Sequence, residues 1–211
     1  MGKLDLITIV IIAANVIISY KGFNDYAFFE KYKFNVGGIQ RGEKIRFFSA
    51  GFLHVDMQHL LFNMVTLYFF AGRVIYEIGV IGFLMLYIVS LLIGNLLSLY
   101  FHKNEYHYSA VGASGAVMGV IYSAILFDPW GKINFFIPGF VFGIGYLLYS
   151  IYGMKKRIGN IGHDAHFGGA IGGYLITLLL SPWLFETNLI MIVLLALPIA
   201  LLFALKKLGK I

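Results

Sequence analysis

Seven apolar runs, each close to the ~20 residues a helix needs to cross a bilayer, divide most of the chain: residues 4–20, 59–76, 80–101, 113–127, 133–152, 164–181 and 188–205. Backbone polar groups in hydrocarbon must be satisfied within the protein, which leaves helices or closed barrels as the spanning structures. The runs are helical in length and lack the alternating segments of about ten residues that mark a barrel strand. Most of the connections between them are short and punctuated by glycine or proline, as in Asp128-Pro129-Trp130-Gly131, so neighbouring spans must run antiparallel. An all-α membrane bundle follows. Charged residues make up only 12% of the chain, about half the share of a soluble domain.

Residues 21–58 are the one long connection. Its stretch Arg46-Phe47-Phe48-Ser49-Ala50-Gly51-Phe52-Leu53-His54 mixes aromatics with charge, as segments at a membrane surface do. The net charge of +6 is spread over short loops, with no aromatic-basic surface domain to receive a polynucleotide. Anionic headgroups of the lipid bilayer are therefore the expected partners of these charges, and nucleic acid is not. The chain has no cysteine, which excludes disulfides and thiolate metal sites.

Polar side chains at membrane depth are costly and mark function. Ser114 lies in Gly112-Ala113-Ser114-Gly115 at the head of the fourth run, and His166 lies in Ala165-His166-Phe167-Gly168-Gly169 on the sixth. A serine hydroxyl is a weak nucleophile until a base takes its proton, and an imidazole suits that task near neutral pH. Gly112, Gly115 and Gly119 on the fourth run, with Gly169 and Gly173 on the sixth, have the small-residue spacing of closely packed membrane helices. Packing through those faces would bring Ser114 and His166 within reach of each other. Taken alone, the glycines read as packing devices only.

His59 and Asn63 are four apart and share one face of the second span. Both can donate hydrogen bonds. With the Ser114 N–H they could stabilise the oxyanion of an acyl transfer, where a donor contributes about 2.7–4 kcal/mol; the alternative is an interhelical polar clamp. Zinc is a competing reading of His54, His59, His163 and His166, but no His-Glu-x-x-His helix occurs, so neither metal nor other cofactor is expected. Asp164 is two residues from His166 and points elsewhere on a helix. Glu77 and Asp128 fall at the opposite membrane face by the alternation of spans. A serine-histidine dyad without an acidic third member is the expectation.

In the order and spacing of His54, His59-x-x-x-Asn63, Gly112-Ala113-Ser114-Gly115 and Ala165-His166 with Gly169 and Gly173, the chain resembles the rhomboid intramembrane serine proteases. The resemblance implies a six-helix catalytic core over residues 1–181, with an accessory seventh span and basic tail over residues 182–211. It implies Ser114 as nucleophile and His166 as base and then acid, with His59, Asn63 and the Ser114 N–H holding the oxyanion. It assigns Gly112, Gly115, Gly169, Gly173 and His54 to support of the site. The implied substrates are single-pass transmembrane proteins cut in or beside their membrane segment, with entry beside the fifth span. A non-proteolytic binder of transmembrane segments is the alternative within the same family. Met118, one turn after Ser114, stands where some members carry an aromatic that stacks on the histidine. Localisation in a prokaryotic plasma membrane is expected. The resemblance implies a cytoplasmic N-terminus, whereas the distribution of Lys and Arg among the loops favours the opposite orientation.

Overall fold

The computed structural model describes residues 5–133, 136–159 and 161–211. The apolar runs become helices α1 (Leu6–Asn24), α5 (Met57–His102), α6 (Ser114–Phe127), α7 (Gly139–Lys156), α8 (His163–Leu180) and α10 (Leu189–Lys207). Between α1 and α5 lie α2 (Tyr26–Tyr32), α3 (Val36–Gln40), α4 (Arg46–Ser49) and a 3-10 turn, Ala50–Phe52; α9 (Leu184–Thr187) precedes α10. Two short antiparallel ribbons pair β1 (Phe34–Asn35) with β2 (Ser109–Ala110), and β3 (Lys132–Ile133) with β4 (Ile137–Pro138). Leu4, where the first apolar run opens, lies outside the described residues, as do residues 134–135 of the fifth.

The second and third runs form α5, a helix of 46 residues interrupted at Gly79, whose φ of 71° and ψ of 173° leave the helical region. Only glycine adopts that φ without strain, and the chain reverses there with no separate loop. The two limbs are antiparallel: His59 near the start packs on Gly112, and His102 at the end reaches Asp164 at the head of α8. At the Gly79 end, Arg73 pairs with Glu77 at 2.9 Å and donates to the Phe127 carbonyl at 3.3 Å, tying the reversal to the end of α6. Asp56 caps the first limb by accepting the His59 N–H at 2.7 Å.

α6 is the centre of the bundle, and every residue from Gly115 to Phe127 is buried. It crosses against α8 through glycine. A Cβ at Gly169 would collide with the Gly115 carbonyl, and one at Gly173 with the Gly119 carbonyl. The adjacent pair, Gly168 and Gly172, meets the second limb of α5: a Cβ would lie 2.7 Å from the Ile93 carbonyl oxygen and 2.7 Å from Ser90 Cα, respectively. α8 therefore turns one glycine row to α6, as the spacing of Gly169 and Gly173 predicts, and a second row, not anticipated from the sequence, to α5.

Two expectations change. The long connection does more than lie on a surface. α1 continues to Asn24, and the segment after it closes over its own small core of Phe34, Val36, Ile39 and Ala50, with Phe47, Leu99 and Tyr108 packed alongside. Arg46 is buried beneath it, donating to the Glu30 and Lys33 carbonyls at 2.8 Å each and pairing with Glu43 at 2.6 Å. The fifth span begins at Gly139 rather than 133, because the apolar residues Ile133 and Ile137 belong to the β3–β4 ribbon and Pro138 sets the helix start.

α10 packs on α7 and α8: Leu195 fills the gap over Gly143, and the Tyr174 hydroxyl donates to the Ile192 carbonyl at 3.1 Å. Lys206 at its end lies 4.6 Å from the Phe101 ring centre. Leu6–Asn24, Met57–His102 and Leu189–Lys207 are long and apolar enough to cross a membrane. α6, with 14 residues, is about 21 Å long at ~1.5 Å per residue, short of a ~30 Å hydrocarbon layer. Ser114, its first residue, thus sits about 9 Å inside one face when the other end of α6 reaches the opposite face.

Candidate active site

Ser114 opens α6, so the N–H groups of Ser114, Gly115 and Ala116 have no acceptor within the helix; the first intrahelical bond runs from the Val117 N–H to the Ala113 carbonyl at 2.9 Å. These N–H groups and the positive end of the helix dipole face the space around the serine. The approach to Ser114 is shaped by Gly112, which has φ of 135° and donates to the Ala50 carbonyl at 3.0 Å. A Cβ there would lie 2.8 Å from His59 Cε1, 3.0 Å from His59 Nε2 and 3.5 Å from Ser114 Oγ. The glycine is needed on both counts: its φ is strained for other residues, and its missing side chain lets the His59 ring and the Ser114 hydroxyl share one space.

His54 holds this turn from behind. It is fully buried, its Nδ1 lies 2.8 Å from Ser19 Oγ, and its Nε2 accepts the Ala113 N–H at 3.4 Å. Ser19 spends its hydroxyl hydrogen on the Phe52 carbonyl at 2.9 Å, so Nδ1 must donate and Nε2 must accept. The ring is therefore neutral, as these bonds require. Burial pushes its pKa down to about 3, and the neighbouring His59 adds to the effect, with Asp56 opposing. The two rings meet edge to face with centres 4.9 Å apart. A span-one serine, a loop histidine and the backbone at the head of α6 thus form one connected support.

Asn63 is buried one turn along α5 from His59, and its amide donates to the His59 carbonyl at 3.0 Å. An amide has two N–H groups, so one remains beyond that bond. On α8, His166 follows Ala165, whose carbonyl oxygen would lie 3.3 Å from a Cβ at Gly115, and it stands three residues before Gly169, which meets the Gly115 carbonyl. Ser114, His59 and His166 are each half-buried, open enough to meet a substrate. Among the described residues no hydrogen bond joins Ser114 to His166. The bonded partner of His166 is Tyr146 of α7, with Oη 2.6 Å from Nδ1.

Tyr146 is the residue that the sequence did not single out. It sits in an aromatic helix with Tyr149 and Tyr152, and only the fold shows which of the three meets His166. Asp164 faces away from His166, as its spacing predicts: its Oδ2 lies 3.4 Å from His102 Nε2 and its Oδ1 accepts from the Tyr108 hydroxyl at 3.5 Å. His102 stacks on Tyr108 with ring centres 3.6 Å apart. Burial, then the charge of Asp164, raises the pKa of the Tyr108 phenol. This cluster fastens the loop between α5 and α6 to the head of α8. Neither His163 nor His102 is brought to Ser114, and Glu77 is engaged by Arg73 at the opposite end of the bundle.

The fold and the site define an all-α integral membrane protein with a serine at the head of its central helix and a histidine ring facing the same space. The family model of the Rhomboid domain matches residues 41–183, well over half the chain. The chain belongs to the rhomboid family. It is 26% identical to RHOMBOID-like protein 12, mitochondrial, of Arabidopsis thaliana over 77% of this chain and 54% of that one. It is 29% identical to Rhomboid protease GluP of Bacillus subtilis (strain 168) over 64% of this chain and 26% of that one. It is 31% identical to Rhomboid protein 1, mitochondrial, of Saccharomyces cerevisiae over 63% of this chain and 40% of that one. The chain thus spans about half or less of the length of these curated relatives. Their names place some of them in mitochondria, so the likeness supports an integral membrane protein and gives no support to a prokaryotic plasma membrane in particular.

Proposed function

We propose that the chain is an intramembrane serine endopeptidase acting through Ser114 and His166. The observation that carries the reading is the head of α6, where Ser114 Oγ and the His59 ring face the same space across Gly112. His166 stands three residues before Gly169, where α8 crosses Gly115 of α6. In the proposed reaction His166 takes the Ser114 proton as Oγ adds to the scissile carbonyl. The Ser114 N–H, His59 and the remaining Asn63 N–H hold the oxyanion. His166 then returns the proton to the departing amide nitrogen as the C–N bond breaks, leaving an acyl-serine that water hydrolyses with His166 again as base. No step needs a metal, and EDTA leaves activity intact; a loss that zinc restores would count against the dyad.

The substrates we infer are single-pass membrane proteins. A helical amide is already hydrogen-bonded, so the segment must unwind before attack, and glycine near the cleavage point assists that. Entry is laterally between the first limb of α5 and α7. What supports this is that α7 packs on α8, α10 and α6, while at the Gly79 end, away from Ser114, a cavity of about 240 Å³ floored by Ala124 and Ile125 of α6 separates Phe69, Phe70 and Arg73 of α5 from Gly139 at the start of α7. Residues 1–181 would form the catalytic unit and residues 182–211 an accessory span behind α7.

One observation favours the second reading, a non-proteolytic binder of transmembrane segments: Ser114 and His166 are not hydrogen-bonded to each other. Cleavage of a glycine-containing single-pass reporter in proteoliposomes decides between the two, with fluorophosphonate labelling of wild type, Ser114→Ala and His166→Ala. The protease reading expects cleavage and labelling by the wild type alone. Folded wild type that neither cleaves nor labels would count against the protease and favour the binder.

A further inference from the structure

A neutral imidazole carries one hydrogen, and a base that must take the Ser114 proton at one nitrogen needs that hydrogen on the other. In serine hydrolases with an acidic third member, a carboxylate fixes this choice. Here the carboxylates are elsewhere: Asp164 is held by His102 and Tyr108, and Glu77 by Arg73. The place at Nδ1 of His166 is instead filled by the Tyr146 hydroxyl at 2.6 Å, with the two rings inclined at 34° and their centres 6.1 Å apart.

The phenol can play either part in that bond, and the reaction decides which. Tyr146 Oη occupies Nδ1, so Nε2 is the nitrogen left for the Ser114 proton. Nε2 can take that proton only when the hydrogen of the neutral ring is on Nδ1. Tyr146 Oη must then accept the Nδ1–H, which a phenol oxygen can do with its lone pairs.

We propose that Tyr146 is the positioning residue of the catalytic base: its Oη accepts the Nδ1–H of His166 and holds the ring in the tautomer whose Nε2 is free for the Ser114 proton. The inference rests on the protease reading above. It gives α7 a part in the chemistry, because the orientation of the base is fixed by a helix on which the substrate entrance is also built. It also supplies from α7 the aromatic neighbour that Met118 on α6 lacks. A phenol is neutral, so it orients the imidazolium without balancing its charge. Its loss is therefore expected to cost about 10- to 100-fold, the range for outer partners of a histidine, rather than the ~10⁴-fold seen when a triad carboxylate is removed.

The test has two arms. In the first, ¹⁵N-histidine NMR of the whole protein in lipid reads the tautomer of His166 directly, assigned by its loss in His166→Ala; hydrogen on Nδ1 is expected, and hydrogen on Nε2 overturns the proposal whether or not the protein is active. In the second, Tyr146→Phe keeps the ring and removes the acceptor. The expected results are a 10- to 100-fold fall in kcat with little change in KM, equally slowed fluorophosphonate labelling, and an acid limb of the pH–rate profile moved to lower pH. Tyr149→Phe, on the same helix but facing His163, is the control and keeps wild-type values. Folded Tyr146→Phe with unchanged kcat and pH limb would overturn the positioning role while leaving the protease reading standing. Wild type without cleavage or labelling would remove the protease reading itself.

Discussion

Ser114 is presented by residues that never touch a substrate carbonyl. Gly112 has a backbone conformation closed to other residues and no room for a side chain between His59 and the serine. Gly112→Ala therefore has to push the His59 ring from a point 2.8 Å away, and fluorophosphonate labelling of Ser114 is expected to slow at least about tenfold, in line with the loss of one oxyanion donor. His54 acts through the backbone, and its charge state makes the support depend on pH. Its folded pKa is about 3 against 6.5 unfolded, so below pH 6.5 the unfolded chain binds a proton that the folded chain refuses. The stability His54 confers is complete above about pH 6.5 and falls by about 1.4 kcal/mol for each unit as pH drops toward 3. Protonation also removes the acceptor for the Ala113 N–H. Unfolding measured at pH 7 and pH 5 for wild type and His54→Gln should show the wild-type advantage shrinking at the lower pH; an advantage that is flat across that range would refute the account. The polar residues of the site were legible because serine, histidine and asparagine stand out in apolar runs. Tyr146 was not, since a tyrosine in a membrane helix is most simply an interfacial anchor, and which face it takes depends on the helix it packs against.

The helices are held by absent side chains as much as by present ones. The seam of α8 carries four glycines at two angular positions, Gly169 and Gly173 against α6 and Gly168 and Gly172 against α5. With no hydrophobic drive between helices in lipid, close backbone approach supplies the packing, and any added carbon separates the pair. Gly173→Ala drives a methyl into the Gly119 carbonyl and is expected to destabilise the fold by about 1–3 kcal/mol, with loss of cleavage as His166 is carried away from Ser114. Gly72→Ala and Gly145→Ala, where nothing lies within 4 Å, are expected to be neutral or stabilising by up to about 1 kcal/mol through helix propensity. Denaturant titration in detergent would separate the two groups, and equal effects would mean that the seam is not the determinant. The sequence revealed the half of this seam that faces α6, through the spacing of Gly169 and Gly173, and not the Gly168 and Gly172 half that faces α5. It misplaced the start of α7 because apolar isoleucines in a two-residue ribbon look like the first turn of a span. It also did not reveal the core under α2–α4, where short apolar segments find each other only through the pairing of β1 with β2, whose partners lie 74 and 76 residues apart.

At the scale of the whole molecule, the contacts of α7 are lopsided. It leans on α8 through Tyr146, on α10 through Gly143 and Leu195, and on α6 through the Tyr122 hydroxyl, which donates to the Gly143 carbonyl at 3.2 Å. Toward the first limb of α5, at the Gly79 end of the bundle, it leaves the cavity lined by Phe69, Phe70 and Gly139, its first residue. A helix so held can give way on that one side, and the exposed apolar residues Phe62, Val65 and Phe69 of α5 flank the opening with a lipid-like surface. The absence of native cysteine makes a direct trial possible. A short thiol crosslinker joining Phe69→Cys to Gly139→Cys should reduce cleavage of a membrane-inserted reporter at least about tenfold, the loss expected when a productive position is denied. It should leave fluorophosphonate labelling of Ser114 intact, because a small water-borne reagent does not need the lateral path. The same crosslinker joining α10 to α7 through Leu195→Cys and Gly143→Cys closes no opening and should spare both. If the α5–α7 crosslink leaves cleavage unchanged, substrates enter by another route. If it abolishes labelling as well, α7 must move for the serine to react at all, and the bond between Tyr146 and His166 becomes the element through which that movement reaches the site.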